Sequence, residues 1–375
     1  MPSRRNLLKA VFASPFALGW RRLPGAPVED AAPAYRRAFA LVPEWKEAEY
    51  KTLREAAKVP LDANVREMVN RSEAMLAAFR DATQQNVCTW RPVRGNEDLG
   101  RDQLDFRKAN IARVAILRAR LRFAAKQDNA AIDDLFAVAR FGRHVSRSGV
   151  MIAELFGLTF ENQALVVLGA ALPNLGEAVR DDIRRRVDEL PAVTGWDVIL
   201  GEESEYIMSI LRTQMAKTGW PKTVDDLGDT RDEAERVFAL TMGDRTKTLA
   251  IIDDIGPRMR GLEADLKLPY RQFKERTGPL TEHFKKVNPW LASVMPNLGG
   301  TKWSVDRTAT LWLMLRAAIL RLNGDLPGFA AIRDPGGDGP FTCTDREGGF
   351  LLESALRDEG TQAITLEVGP RRVKD

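Results

Sequence analysis

Four carboxylates are the residues of this sequence best placed by type to do acid–base chemistry: Glu202 and Glu205, in the run Glu202-Glu203-Ser204-Glu205, and the adjacent Asp253 and Asp254. Two carboxylates whose pKa values are driven apart can hydrolyse a glycosidic bond if they face each other across a cleft at roughly 5 to 9.5 Å. Both runs lie in segments of helical periodicity, where arginines on neighbouring turns are the alternative partners. A further acidic run, Asp225-Asp226-Leu227-Gly228-Asp229, has the D-D-x-x-D spacing that holds magnesium against a diphosphate when presented on one helix face. It follows Trp220-Pro221 and contains Gly228, so a solvated turn is expected instead. Asp334, Asp338 and Asp345 could take calcium in a loop, but the D-x-D-x-D-G frame that orders calcium ligands is missing, and no metal centre is expected.

Other chemistries find less material. The two histidines, His144 and His283, have no Glu three residues before them, so the paired E-x-x-H ligands of a di-iron bundle are absent. His144 falls near a helix C-terminus, where a positive charge is favoured. Cys88 and Cys343 fit no metal or haem spacing; they read as two thiols that could pair in an oxidising compartment. There is no G-x-S-x-G elbow and no G-x-x-x-x-G-K-[ST] loop, and Gly336-Gly337-Asp338-Gly339 has no helix after it to receive a dinucleotide. No cofactor is therefore expected. Arg107, Lys108, Arg113, Arg118, Arg120, Arg122 and Lys126 form a basic stretch without an acid. They are distributed around the helix, with acidic segments elsewhere to pair them, so nucleic acid is not the expected partner.

The elements that must position these residues are helices. The chain has 375 residues, 44% hydrophobic and 29% charged, enough to bury a core without disulfides or metals. From Ala31 to Asn323, apolar residues recur at three- and four-residue intervals between Pro, Gly, Asp and Asn. Asp62 reads as an N-cap placing Val65, Met68, Val69, Met75, Leu76 and Phe79 on one core face. A helix over 102–126, the turn Gln127-Asp128-Asn129 and a helix over 130–146 should form an antiparallel hairpin, which resembles a single degenerate tetratricopeptide unit. Further helices are expected over 150–172, 176–190, 194–218, 230–268, 270–286 and 304–322. After Asn323-Gly324 the chain is dense in Gly, Pro and Asp, and the runs 341–344, 349–354 and 363–368 predict a small sheet that must pack on the preceding helix. The expected fold is mainly α, a multi-helix antiparallel hairpin array or bundle with a small C-terminal α+β appendix. Its divisions are 1–27, signal and linker; 28–302, helical domain; and 303–375, helix plus sheet.

The N-terminus carries an address. Residues 1–19 hold Arg4, Arg5 and Lys9 and no acid, followed by the apolar run AVFASPFALGW, so three of the four net positive charges lie in this segment. Ser3, Arg4, Arg5, Leu7, Leu8 and Lys9 resemble the twin-arginine export motif, which implies export of a folded protein to the periplasm or cell envelope by the export machinery. If the segment is not a signal, the chain is cytoplasmic. The apolar run is about half the ~20 residues of a membrane-spanning helix and contains Pro15, so no permanent span is expected.

AYRRAFALVPEW, NVCTW and the ending LNGDLPGFAAIRDPGGDGPFTCTDREGGFLLES together resemble a family of exported helical proteins of planctomycete bacteria. The ending separately resembles the C-terminal part of type II secretion pseudopilins through Asn323, Gly324, Pro327, Asp334, Pro335 and Gly337, without the hydrophobic pilin helix. The resulting expectation is an exported, non-enzymatic helical envelope protein that binds a protein or envelope polymer, with a carboxylate-dependent envelope hydrolase as the alternative.

Overall fold

The computed structural model describes residues 30–90, 108–218, 231–357 and 362–370. The chain is mainly helical and ends in a small antiparallel sheet. The first helices are α1 (Ala31–Ala40), α2 (Glu47–Arg54), α3 (Ala63–Asn70) and α4 (Glu73–Thr83). Their starts follow capping chemistry. Asp30 accepts the amides of Ala32 at 3.0 Å and Thr89 at 2.9 Å, capping α1 and fixing the segment before Trp90 beside it. Asp62 accepts the Val65 amide at 2.9 Å, as its position predicts.

The predicted hairpin is present as α5 (Ile111–Ala124) and α6 (Asp128–Ser146), with a 3-10 turn at Lys108–Asn110 in place of regular helix and residues 102–107 outside the described part. Helices α7 (Met151–Ala171) and α8 (Glu177–Asp188) follow. α7 crosses α6 with almost no space between backbones: a Cβ on Gly157 would lie 2.4 Å from the Gly142 carbonyl oxygen, and one on Gly142 would lie 2.6 Å from that of Gly157. α7 is also long and apolar enough, by length and composition, to cross a membrane, with mean hydropathy 1.5 over its window. Its packing against α6, α15 and β3 makes it the central helix of a core.

Next come α9 (Trp196–Thr218), α10 (Arg231–Thr241), α11 (Arg245–Asp253), α12 (Ile255–Gly261), α13 (Glu263–Leu266), α14 (Tyr270–Val287), α15 (Pro289–Leu322) and α16 (Leu326–Ala331). Where one helix over 230–268 is expected, four occur. Met242 and Gly243 adopt left-handed φ of 54° and 72°, and Asp244 then caps α11 through the Lys247 amide at 3.0 Å. Pro257, which has no amide to give, sits in the first turn of α12, where that loss is harmless. The opposite correction applies to α15, expected only from residue 304. It begins at Pro289 and absorbs Pro296, whose missing amide is offset by burial of Trp290, Leu291, Met295 and Leu298. The division read at 302/303 therefore falls inside one continuous helix.

Two hydrophobic cores share that helix. The first gathers α1 to α8, the C-terminal half of α15 and the sheet; the second gathers α9 to α14 with the N-terminal half of α15. The sheet has strands β1 (Thr342–Arg346), β2 (Gly349–Arg357) and β3 (Ala363–Val368) in the order β1-β2-β3, all antiparallel. Phe350, Leu352, Ile364, Leu366 and Val368 alternate inward onto the first core. Gly169 admits this sheet, since a Cβ there would stand 2.8 Å from the Glu367 carbonyl oxygen.

Candidate functional site

The carboxylates singled out in the sequence do not gather around a common cleft. Asp253 is ion-paired to Arg212 at 2.6 Å and Asp254 to Arg258. Glu205 is exposed and lines a hollow of 250 Å³ with Ser209, Arg212 and Thr213, which contains no second carboxylate of the set. Glu202 packs its stem against Gly149, whose φ of 81° keeps the backbone close, and its Oε2 has no hydrogen-bond partner. Between them, Glu203 is the structural residue: it accepts the Met151 amide at 2.8 Å and so caps α7 from α9. Burial pushes its carboxyl upward against that hydrogen bond.

Of the three calcium candidates, Asp334 and Asp345 have their carboxylates engaged by protein partners. Asp334 is buried and accepts from the Gly336 amide at 2.9 Å, the Ser354 hydroxyl at 2.5 Å and the Ala355 amide at 2.6 Å, so it anchors the Gly-rich loop onto β2. Asp345 pairs with Arg321 at 2.6 Å, and the Asp338 carbonyl accepts from Arg333. Among the described residues no group of three His, Cys, Asp or Glu side chains could hold a metal. Cys88 and Cys343 are free thiols, Cys88 buried and Cys343 half-buried. The export motif at Ser3, Arg4, Arg5, Leu7, Leu8 and Lys9 and the acidic run 225–229 lie outside the described residues.

His144 corrects the expectation of a charged helix end. It lies in the last turn of α6 but is fully buried, and its Nδ1 meets the Tyr35 hydroxyl at 2.8 Å. Burial, with Arg147 and Arg140 adding, lowers its pKa to about 3, so the imidazole is neutral at physiological pH. Around it Tyr35, Phe39, Phe79, Trp90 and Phe141 form a tight aromatic cluster, and Trp90 donates to the His144 carbonyl at 2.8 Å. The basic helix α5 also turns inward. Arg118 makes a two-pronged contact with Asp134 at 3.0 and 2.7 Å, and Arg122 reaches the same carboxylate at 2.7 Å.

Two residues of consequence were not singled out in the sequence: Glu154 and Glu161, the only charges in α7. Their spacing of seven residues in an otherwise uncharged helix is the signal that marks them. Glu161 is ion-paired to Arg143 at 2.8 Å and accepts the Trp312 indole N–H at 2.7 Å, tying α6, α7 and α15 together. Glu154 faces Ser146 and leaves its Oε2 without a hydrogen bond. Burial raises its pKa to about 7, with Ser146 and Arg143 opposing and the Glu161 charge reinforcing. Neither carboxylate reaches solvent, so both act on helix packing and neither is placed to meet a substrate.

The surface feature with the form of a binding site is a groove of 720 Å³ where the loop after α2, the C-terminal ends of α5 and α7, and β3 converge. Its floor is apolar, with Ala57, Leu61, Phe123, Val167, Ala171 and Leu175. Its rim carries Lys58, Arg120 and Lys126 together with Asp128 and Glu367. Arg120 is anchored through the Ala56 carbonyl at 2.8 Å, whereas Lys58 and Lys126 are exposed and have no carboxylate partner among the described residues. Lys126 holds a left-handed φ of 59° at the position after the end of α5, where glycine is the usual residue. A groove of this size with an apolar floor and a few charged groups has the dimensions of a ligand site.

Fold and groove together define a mainly helical protein with a C-terminal sheet and a basic-rimmed apolar groove. Comparison with family models, curated proteins and solved structures finds no match for the chain.

Proposed function

We propose that this chain is an exported helical binding module of the cell envelope, and that its groove takes an apolar protein segment flanked by acidic residues. The groove carries the reading: its apolar floor offers burial, and Lys58 and Lys126 offer two uncommitted positive charges at its edge. The address comes from the residues resembling the twin-arginine motif and from the resemblance to exported planctomycete proteins, and the pseudopilin-like ending suits a secretion-associated envelope role.

A photo-crosslinking amino acid at position 123 tests the groove in cells. The expected result is a discrete protein adduct in the envelope fraction, mapping to an acidic-flanked apolar segment and lost in Lys58→Glu/Lys126→Glu. An adduct indifferent to charge reversal, a lipid adduct or no adduct would overturn the reading. Lys126→Gly removes the amine while relieving the left-handed backbone, so reduced crosslinking without reduced stability separates binding from folding. Arg4→Lys/Arg5→Lys should retain the protein in the cytoplasm; equal fractionation of both forms would remove the export claim.

A further inference from the structure

Away from the groove, α4, α6 and α8 enclose a hollow of 450 Å³ into which Arg80, Arg140, Arg185 and Arg186 all face. Three of these guanidiniums are held by carboxylates. Asp133 takes Arg80 at 2.5 Å and Arg186 at 2.7 Å; Asp182 takes Arg186 at 2.6 Å and also Arg185, which Glu189 contacts from its other side. Each carboxylate fixes a guanidinium's direction while leaving part of its N–H fork unused, because a guanidinium has five donors in a rigid plane.

Arg140 is different. Among the described residues it has one hydrogen bond, to the Gln84 side-chain oxygen at a marginal 3.4 Å, and no carboxylate within ion-pair distance. Burial lowers its pKa, with the Arg186 charge adding and the Glu189 and Asp133 charges opposing from beyond ion-pair distance. Asp81 and Glu189 also line the hollow, so with Asp133 and Asp182 four carboxylates stand against four guanidiniums, and among those guanidiniums Arg140 is the one with no carboxylate of the described residues within ion-pair distance.

We propose that this hollow is an anion site for a phosphate group, completed by Arg140 and oriented by the arginines that Asp133 and Asp182 fix in place. Tetrahedral oxyanions accept from several guanidinium forks at once, and arginine–phosphate pairs are the strong, directional case of such hydrogen bonds. The volume exceeds that of a bare phosphate ion, leaving space for a monoester carried on a larger molecule. The proposal does not rest on the groove.

The test is titration of the full chain with inorganic phosphate, and separately with phenyl phosphate, followed by melting temperature and calorimetry against sodium chloride at equal ionic strength. Wild-type protein should show saturable binding and a rising melting temperature. Arg140→Gln should weaken binding about tenfold or more, with Arg140→Lys between the two. Tighter binding of phenyl phosphate assigns the site to a carried phosphate, and equal binding to the free ion. A response that does not saturate, that chloride reproduces, or that Arg140→Gln leaves unchanged would overturn the proposal. Circular dichroism of the Arg140 variants in the absence of phosphate keeps a folding defect from passing as lost binding.

Discussion

The two cores differ in how their buried polar groups are satisfied. In the first, the bonds run between helices: Arg118 of α5 to Asp134 of α6 and Glu73 of α4, Arg143 of α6 to Glu161 of α7, and Trp312 of α15 to the same Glu161. In the second, they run mostly along one helix. Thr241, Thr277 and Thr301 bond the carbonyls of Val237, Phe273 and Asn297 four residues back, and the buried Lys302 pairs with Asp306 on its own helix. The exceptions are Asn288, which donates to the Ile251 carbonyl at 2.9 Å, Thr248, whose hydroxyl meets that of Thr241 on the preceding helix at 3.2 Å, and Glu203, which caps α7 from α9. Interhelical polar pairs can fix which helix meets which and in what register, whereas self-satisfied hydroxyls leave that to shape. Methionines fill the second core at positions 151, 208, 215, 259 and 295, and these flexible side chains adapt to gaps. The hypothesis is that the first core is specified by its charges and the second only by packing.

Breaking an interhelical pair should have the largest effect. Asp134→Ala takes the buried carboxylate from Arg118, whose side chain is 7% exposed and keeps only the half-exposed Glu73, and from Arg122, and should cost about 3 kcal/mol or more, read as a lower denaturation midpoint at unchanged slope. Asp253→Ala in the second region removes an exposed partner of Arg212 and should cost under about 1 kcal/mol. Equal losses would erase the contrast.

Next in size is a pH effect carried by two buried groups of the first core. The folded pKa of Glu154, about 7, lies above its ordinary value of 4.5, so the folded state binds more protons between those two pH values. Stability from this group is therefore full below about pH 4.5 and lost as pH rises through 7, on the order of 3 kcal/mol in all. His144 has the opposite sign. Its folded pKa of about 3 lies below 6.5, so its contribution is present above pH 6.5 and falls as pH drops toward 3. Glu154→Gln should reduce the alkaline loss and leave the acid one, making the variant more stable than wild type at pH 8 in urea denaturation followed across pH. A wild-type curve that stays flat from pH 5 to 8, or a variant that declines there as steeply as wild type, would count against the buried-carboxylate account.

Much of this architecture was legible because helix periodicity, caps and turn residues are local. Asp62 declared its helix, the hairpin turn at 127–129 lay within a residue or two of the loop, and the strand runs near 342, 349 and 363 needed only alternation and punctuation. The early start of α15 was not legible, because the cost of Pro296 is local while its compensation, burial of Trp290 and Leu298, is tertiary. Met242 was misleading in the other direction, since nothing in a methionine announces a left-handed backbone. Candidate sites were harder still. Carboxylate clusters in sequence turned out to lie beside arginines or at a helix cap, while the groove is assembled from residues near 58, 123, 171 and 367, whose proximity no spacing rule encodes.

The smallest effects concern backbone approach, and here the contrast between the cores becomes one of rigidity. At Gly157 an added Cβ would meet the Gly142 carbonyl at 2.4 Å and the Ser146 hydroxyl at 2.5 Å. The first of these is backbone and cannot rotate away, so Gly157→Ala must push α6 from α7, and with them the pairs of Glu154 and Glu161. That overpacking should cost about 1–3 kcal/mol, even after the helix propensity gained by replacing glycine. At Gly256 in the second core the nearest atom to an added Cβ is the Met208 methyl at 3.2 Å, the far end of a flexible side chain, with the Arg260 guanidinium next at 3.5 Å. A rotamer change absorbs the first contact and the second is ordinary van der Waals distance. Gly256→Ala should therefore lie within about 0.5 kcal/mol of wild type, tipping to either side as the loss of backbone freedom in the unfolded chain competes with the displaced methyl. Thermal unfolding of the two variants side by side measures the difference. If Gly256→Ala destabilised as much as Gly157→Ala, the second core would be as rigidly fitted as the first, and the distinction between a charge-specified and a shape-adaptable core would not hold.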